Sequence, residues 1–464
     1  MKTNKIYKIL LIASLPLLLS SCFAAKEYQR PETVVSESNF RTDAISTDSL
    51  SMATVSWKEI FTDNILQQYI SEGLENNIDN RVALQQIVAA QAYVKQGKAG
   101  YLPTLNGNAQ YSHSEYSDNV GSSISSLDQY SLGANLTWEA DIWGKIRSNK
   151  RAFEASYLQS VAAHQAIKTT LVSQIAAVYF QLLSLDEQVR ITKETIGTRE
   201  KGLTTTQALK ESGDVTEVAV KQTEAQLYTA KAILIDLNEQ IHLLENTMSI
   251  LLGKPSTTIE RSTFNAQKIT TSLEIGVPVL LLSNRPDVIA AESQFAQAFE
   301  LTNVAKSNFY PAFTLSASGG LQSVDFDNFF DASSLFSNII GGLTQPIFNG
   351  RKVKTQYEVS KAQQEQALLK FKEAVLIAGK EVSDAMYSYK AATEKLVIKE
   401  KEFAAYNLAS TYSQELLNNG LANYLEVLTA QEKSLSSQLG LINSQYNQLK
   451  YTIDLYKALG GGWR

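Results

Sequence analysis

Two stretches of the chain alternate between apolar and polar residues: LNGNAQYS at Leu105–Ser112 and YSLGANLTW at Tyr130–Trp138. Alternation with a period of two is typical of a β-strand that has one apolar and one polar face. The polar loop SDNVGSSISSLDQ joins the two stretches. The sequence therefore predicts a pair of neighbouring strands near 103–115 and 129–139. The apolar face of the second strand consists of Leu132, Ala134, Leu136 and Trp138, with Tyr130 at its start.

The same organisation recurs with an offset of 205 to 208 residues. Four short segments match in the same order along the chain: YLPTL with FYPAF, IWGKI with IFNGRKV, SGDVTEV with NGLANYL, and LLGK with ALGG. Such self-similarity indicates a repeated structural unit. We predict a tandem duplication, with repeat 1 at 57–254, a linker at 255–272 and repeat 2 at 273–464.

The second repeat contains a further pair of predicted strands, near 312–322 and 335–345. In the first of these, Phe313, Leu315 and Ala317 alternate with Thr314 and Ser316. The other, LFSNIIGGLTQ from Leu335, has apolar residues at both odd and even positions. Its two faces cannot be assigned from the pattern.

Long helical segments flank the strand pairs. No proline occurs between residues 104 and 254 or after residue 346, so these stretches are free of the residue that breaks helix interiors. Apolar residues recur there at steps of three and four, for example Leu435, Leu439, Ile442, Tyr446, Leu449, Ile453 and Tyr456. This spacing predicts helices that pack along most of their length as coiled coils.

The N-terminus reads as an export signal. Lys2, Lys5 and Lys8 precede a short apolar run, which is typical of a secretory signal peptide, here 1–21. The sequence LSSC that ends at Cys22 resembles a bacterial lipobox, in which the cysteine receives a diacylglycerol. Cys22 is the one cysteine of the chain, and an extended lipidated segment would follow it at 22–56. The alternative is an ordinary signal peptide with an incidental cysteine at its end.

Composition argues against several classes of function. The net charge of -5 provides no basic surface for nucleic acid. The three histidines, His113, His164 and His242, form no pair with metal-ligand spacing, and no nucleophile elbow or phosphate-binding loop is present. We therefore expect neither an enzyme nor a metal protein, and no cofactor beyond the covalent lipid on Cys22. After the signal no run of 18 apolar residues follows, so no membrane-spanning helix is predicted.

The strands suit a membrane β-barrel, whose spans are roughly 9–11 residues with aromatic residues at both interfaces. Leu132, Ala134, Leu136 and Trp138 would then face lipid. Four strands are too few for a barrel, and an open sheet edge leaves backbone groups without partners in lipid. Several chains must therefore share one barrel, with eight strands in a dimer or twelve in a trimer. A conducting pore favours the trimer, because side chains fill an eight-stranded barrel.

Two further phrases, NRPDV at 284–288 and NGLANYLEVLTAQ at 419–431, complete a resemblance that covers nearly the whole mature chain. The chain resembles TolC-like outer-membrane efflux factors, in particular their lipidated OprM/NodT-type branch. The resemblance implies an α+β membrane protein: a trimeric 12-stranded β-barrel, four strands per chain, that continues into a long coiled-coil α-helical barrel.

The same resemblance implies function, partners and location. The homotrimer would be the outer-membrane channel of a tripartite efflux system, lipid-anchored and with a periplasmic helical domain. It would passively conduct drugs, metal ions or other small toxic solutes from an inner-membrane pump and a periplasmic adaptor (membrane fusion) protein to the exterior. The alternative is a lipid-anchored periplasmic coiled-coil adaptor or adhesin without a channel.

The resemblance also points to a periplasmic aperture within NGLANYLEVLTAQ. Gly420 would let the chain reverse between two helices, and Glu426 aligns with a carboxylate that lines the closed aperture in the family. Ala422 stands where an arginine is expected and Thr429 where a second acid is expected. Closure would then depend on apolar contacts such as those of Leu417. The alternative is that Glu426 is a solvated helix residue.

Overall fold

A computed structural model of the chain describes residues 25–31, 52–117, 119, 126–267 and 284–464. Cys22 and the predicted signal peptide lie outside the described residues, as do most of segment 22–56 and parts of the predicted linker and of repeat 2.

The described chain contains eight α-helices and four strands. The helices are α1 (Trp57–Ile60), α2 (Asn64–Asn76), α3 (Ile78–Ala99), α4 (Lys145–Glu211), α5 (Glu217–Leu251), α6 (Pro286–Ser307), α7 (Lys352–Asn418) and α8 (Tyr424–Ala458). The strands are β1 (Thr104–Glu115), β2 (Ser126–Glu139), β3 (Ala312–Ser323) and β4 (Leu335–Thr344). Short 3₁₀ turns cover Met52–Thr54, Phe264–Ala266 and Ala332–Ser334.

Four elements recur with identical lengths in the two halves of the chain, whereas β2 has 14 residues and β4 has 10. Helices α3 and α6 each have 22 residues, α4 and α7 each have 67, and α5 and α8 each have 35. Strands β1 and β3 each have 12 residues. The predicted tandem duplication is therefore a structural duplication.

All four strands form one antiparallel sheet in the order β1-β2-β3-β4. The central pairing, β2 with β3, joins the two copies of the duplicated unit. Strand β2 begins at Ser126, three residues before the predicted start, because its first residues pair with the end of β1 as far as Glu115. The outer strands β1 and β4 have one neighbour each in the described sheet.

The chain divides into two compact units. The first comprises residues 25–31, 86–160 and 290–371 of the described chain and contains the sheet. The second comprises residues 52–85, 161–289 and 372–464, again as far as they are described, and contains α5, α8 and the chain around them. The long helices α4 and α7 contribute to both units.

The main hydrophobic core lies in the second unit. Helix α4 contributes Leu171, Ile175, Tyr179 and Leu182, which are fully or almost fully buried, and α8 contributes Tyr456. Helix α4 is long and apolar enough, by composition alone, to cross a bilayer, but more than half of its most apolar window is buried within the chain. A helix at the centre of a core has the same composition.

Asp63 ties the residues after α5 to the start of α2. Its carboxylate caps α2 by accepting a hydrogen bond from the backbone N of Ile65 at 2.8 Å. It also accepts hydrogen bonds from the Tyr179 hydroxyl at 2.9 Å, from Gln267 at 2.8 Å and from the Ser262 hydroxyl. Burial opposes ionisation, but these hydrogen bonds outweigh it and hold the pKa of Asp63 below its ordinary value.

Candidate functional site

The sheet has one apolar face, and it carries the predicted lipid-facing residues. Leu132, Ala134, Leu136 and Trp138 lie on this face of β2, since alternate residues of a strand point to the same side. Strand pairing extends it into rows, such as Ala109–Leu132–Leu321–Leu335 and Leu105–Leu136–Ala317–Ile339. Much of it is exposed: Leu132 by 45% and Ile339 by 75%. Such a contiguous apolar surface requires lipid or another chain to cover it.

Aromatic residues mark both ends of this apolar face. Tyr111 and Tyr130 pair across the first hairpin with ring centroids 5.0 Å apart. Trp138 lies at the other end, where its Nε1 donates to the carbonyl O of Tyr101 at 3.0 Å. The nine residues from Tyr130 to Trp138 match the roughly 9–11 residues with which a tilted strand spans a bilayer.

Charged residues appear on the apolar face only beyond this span, as far as the strands are described. Asp128 accepts a hydrogen bond from the Tyr111 hydroxyl at 2.9 Å, and its Oδ1 lies 2.7 Å from Nδ1 of His113. Glu115 lies next to His113, with 3.7 Å between carboxylate and ring. Among the described residues no group of three or more potential ligands could hold a metal ion. The cluster marks where the apolar face ends.

The opposite face of the sheet is polar and almost uncharged. Its residues are mostly amides and hydroxyls: Thr104, Asn106, Asn108, Gln110, Ser131, Asn135, Thr137, Thr314, Ser316, Ser318 and Asn338. Within the described strands the one charged residue on this side is Glu139, at the end of β2, which forms an ion pair with Lys145 at 3.0 Å.

Register assigns the two faces of β4, which the sequence pattern left open. Leu335, Ile339 and Leu343 pair into the apolar face, whereas Phe336 and Ile340 lie on the polar side. Phe336 pairs with Gly320, which in turn pairs with Gly133, so that one ring and two glycines stand in a row.

The glycines make room for Phe336. Its ring lies 3.5 Å from the position that a Cβ on Gly133 would occupy, so the side chain extends along the sheet across β3. A Cβ on Gly320 would collide with the backbone of Leu132 and Gly133. An aromatic ring that covers neighbouring glycines compensates for their missing side chains. This accounts for the apolar residue Phe336 on the polar side of β4.

Two helix–helix turns, one from each repeat, have the same backbone geometry. After α4, Gly213 has φ 89°, and the N of Asp214 donates to the carbonyl O of Leu209 at 2.9 Å. After α7, Gly420 has φ 74°, and the N of Leu421 donates to the carbonyl O of Leu416 at 2.8 Å. This is the glycine-dependent Schellman arrangement that ends helices.

The second turn places the predicted aperture residues close together. Asn423 caps α8 by accepting a hydrogen bond from the backbone N of Glu426 at 3.0 Å, and its side-chain amide donates to the Glu426 carboxylate at 2.9 Å. Leu417 is half-buried, whereas Leu421, which sequence reasoning did not single out, is 74% exposed. The sequence signal for Leu421 was its position directly after the turn glycine, Gly420, where an apolar residue is exposed.

The two turns differ in charge. At the first, Lys210 forms an ion pair with Glu217. At the second, residues 411–430 contain Glu415 and Glu426 but no Lys or Arg. The second turn therefore carries an uncompensated negative charge.

The chain is similar to known outer membrane proteins over nearly its whole length. The family model "Outer membrane efflux protein" matches residues 69–254 and 277–461, two segments that lie within the two predicted repeats. The cation efflux system protein CusC of Escherichia coli O6:H1 is 26% identical over 450 residues, covering 97% of each chain. The solvent efflux pump outer membrane protein SrpC of Pseudomonas putida is 28% identical over 455 residues, covering 96% of this chain and 97% of the relative.

The fold is shared with a solved channel. The crystal structure of the open state of the MtrE outer membrane channel of Neisseria gonorrhoeae superposes with a TM-score of 0.85 at 25% identity. The match covers 95% of this chain and 98% of MtrE.

Proposed function

The chain belongs to the outer membrane efflux protein family, and on that premise we propose how its sheet and turns serve a channel. Three copies form a homotrimer in the outer membrane, and each contributes four strands to a 12-stranded barrel that continues into a periplasmic helical barrel. The trimer is the outer-membrane channel of a tripartite efflux system, with a periplasmic adaptor and an inner-membrane pump as partners. An adaptor or adhesin without a channel is not favoured, because the relatives are outer membrane efflux proteins.

The sheet edges support a barrel shared by several copies of the chain. Strands β1 and β4 each have an edge without a neighbour in the described chain. Unpaired backbone groups cost several kcal/mol each in lipid, so β4 of one copy pairs with β1 of the next until the barrel closes. More than half of the most apolar window of helix α4 is buried within the chain, so α4 plays no part in this span.

The two faces of the sheet then have opposite surroundings. The face that carries Leu132, Ala134, Leu136 and Trp138 lies against lipid, and the face that carries Asn135 and Ser318 lines the lumen. Lipid-exposed strands alternate apolar-out and polar-in, as this sheet does.

The uncharged polar face is the observation that carries our proposal about the solute. A wall of amides and hydroxyls offers hydrogen bonds to any polar solute but no net field that would repel ions of one sign. The relatives include a cation efflux protein and a solvent efflux protein at similar identity. We infer that the barrel passes small neutral and charged solutes alike and that selection occurs elsewhere in the assembly.

Selection at the periplasmic end falls to the second turn. With threefold symmetry, three copies of Glu426 surround one axis, and no base in residues 411–430 compensates them. Like charges that are held close disfavour one another's ionisation and repel. Protonation or cation binding would therefore favour a closed aperture, with Leu417 and the exposed Leu421 as apolar contacts.

The N-terminus adds a second attachment. A lipid on Cys22, a residue outside the described part of the chain, would hold the N-terminus at the membrane. Each buried methylene of an acyl chain contributes roughly 0.8 kcal/mol. The barrel remains the main attachment, because the whole apolar face of the sheet contacts lipid.

Reconstitution tests the proposal. Purified trimers in liposomes should let small neutral sugars enter, with rates that fall with solute size. In planar bilayers they should conduct ions without ATP or a proton gradient. Vesicles that stay impermeable, with trimers confirmed in the membrane by crosslinking, would contradict the channel. Permeation of cations alone that persists in Glu426→Gln would contradict the uncharged wall.

A further inference from the structure

Arg199 on α4 is a buried cation without a carboxylate partner. The residue is only 5% exposed, and its Nη1 donates to the backbone carbonyl O of Gln226 on α5. Within the described chain its Nε has no hydrogen-bond partner, and neither does Oε1 of Gln226. The acid whose charge acts on Arg199 is Glu432, which is exposed and makes no ion pair with it.

Two other largely buried arginines, Arg261 and Arg285, each have carboxylate partners. Arg261 donates to two carboxylates, at 2.5 and 2.6 Å, and Arg285 donates to two, both at 2.6 Å. A buried charge is tolerated when it is paired and hydrogen-bonded. Arg199 alone among these three lacks that compensation.

Burial lowers the pKa of Arg199, but a guanidinium remains protonated in proteins. The positive charge therefore stays in place. Water can accept a hydrogen bond from Nε, yet water supplies no opposite charge. Within the described single chain, the positive charge of Arg199 therefore lacks a neutralising negative charge.

A cavity of about 240 Å³ adjoins Arg199 between α4, α7 and α8. This is several times the roughly 30 Å³ that one water molecule occupies in the liquid. Its lining offers hydroxyls and amides: Thr195, Thr198, Asn407, Ser410, Gln431 and Ser434. The one acid in the lining, Glu194, is held by Arg190 at 2.6 Å.

We propose that this cavity binds a small oxyanion, such as phosphate or sulfate, on the guanidinium of Arg199. The planar guanidinium presents parallel N–H groups that match the oxygens of such anions, and the surrounding hydroxyls and amides supply further donors. The anion neutralises the buried charge and joins three helices of the second unit. Neither the barrel wall nor the aperture residues take part, so this site is independent of the channel proposal.

Binding of radiolabelled phosphate to the purified trimer, measured by equilibrium dialysis at constant ionic strength, tests the site. We expect saturable binding of one phosphate per chain, competed by sulfate. Arg199→Gln should weaken it at least tenfold. The matched control is Arg147→Gln on the same helix, because Arg147 is exposed and does not line the cavity; it should bind like the wild type.

Location and folding are checked separately. A selenate soak of wild-type crystals should give an anomalous peak at Arg199. Arg199→Lys keeps a positive charge for folding but loses the planar fork, and it too should bind phosphate more weakly. Absence of saturable binding by the wild type, equal binding by Arg199→Gln, or a selenate peak only elsewhere would each overturn the proposal. If the wild type binds no free anion and Arg199→Lys lowers the stability of the trimer, the partner of Arg199 is instead a carboxylate of a neighbouring chain.

Discussion

Substituting one arginine on each face of β2 tests which face of the sheet meets lipid. Leu132 is the seventh of the 14 residues of β2 and pairs with Ala109 and Leu321, so it lies mid-strand on the apolar face. Asn135 is three residues further on and pairs with Asn106 and Ser318 on the polar face. Both side chains are exposed in the single chain, so neither substitution creates a clash in the described structure.

The expected effects differ by several kcal/mol. An arginine that meets lipid at the bilayer midplane costs about 2–4 kcal/mol. A trimer contains three copies of Leu132→Arg, so assembly should lose roughly 6–12 kcal/mol in total. Asn135→Arg keeps its charge in lumenal water and should cost little. It should instead attract anions, because the wall it joins has no other charge near it.

The assay is refolding of each variant into lipid vesicles across a urea series, with the trimer fraction read from gel mobility and the ion selectivity from planar bilayers. Leu132→Arg should assemble only at lower urea than the wild type, whereas Asn135→Arg should assemble normally and shift the reversal potential toward anions. Equal assembly of the two variants, or a larger defect in Asn135→Arg, would refute the assignment of the faces.

Four other outcomes follow from the structure. Gly320→Ala should destabilise the trimer, because the added Cβ collides with the backbone of β2. Gly107→Ala is the control, since a Cβ there meets open space and should not destabilise the trimer. Thermal unfolding of the two trimers measures the difference. Glu426→Gln should weaken cation selectivity or block by divalent ions in single-channel recordings, and unchanged currents would make Glu426 a surface residue. Cys22→Ser should abolish palmitate labelling while trimers still form; normal labelling would contradict the lipobox. Hydrogen bonds lower the pKa of Asp63, so they stabilise the fold above the unfolded pKa of about 3.9 and lose this effect as pH falls through the lower folded pKa. Asp63→Asn should therefore be less stable than the wild type near neutral pH. Denaturant unfolding should show that this difference in free energy of unfolding narrows in acid.

Local pattern was enough to recognise the architecture. The alternation in β2 and the repeated segments depend on neighbouring residues, so four strands per chain and the duplication could be predicted. The pattern did not show that separate heptad runs join into helices of 67 residues, because helix continuity across weakly periodic stretches depends on packing.

Features that depend on distant partners were not predictable. The place of Phe336 on the polar side of β4 makes sense only once the strand pairing is known, which sets its ring beside Gly320 and Gly133 on two other strands. Arg199 looks in the sequence like an ordinary surface arginine of a helix. Arg199 is buried because α5 packs against α4 at Gln226, and its cavity is completed by α7 and α8. No local spacing in the sequence encodes these contacts.

The duplication itself gives a reason to regard the second turn as functional. Gly213 and Gly420 give both turns the same backbone, so a purely structural role would be served equally by either set of side chains. The side chains nevertheless differ: Lys210 neutralises Glu217 at the first turn, whereas Glu426 has no cation near it in sequence at the second. Retaining an uncompensated charge at one of two equivalent positions costs repulsion when three copies meet on an axis. That cost favours a gate at the second turn, and the first turn, where Lys210 pairs with Glu217, serves as its internal control.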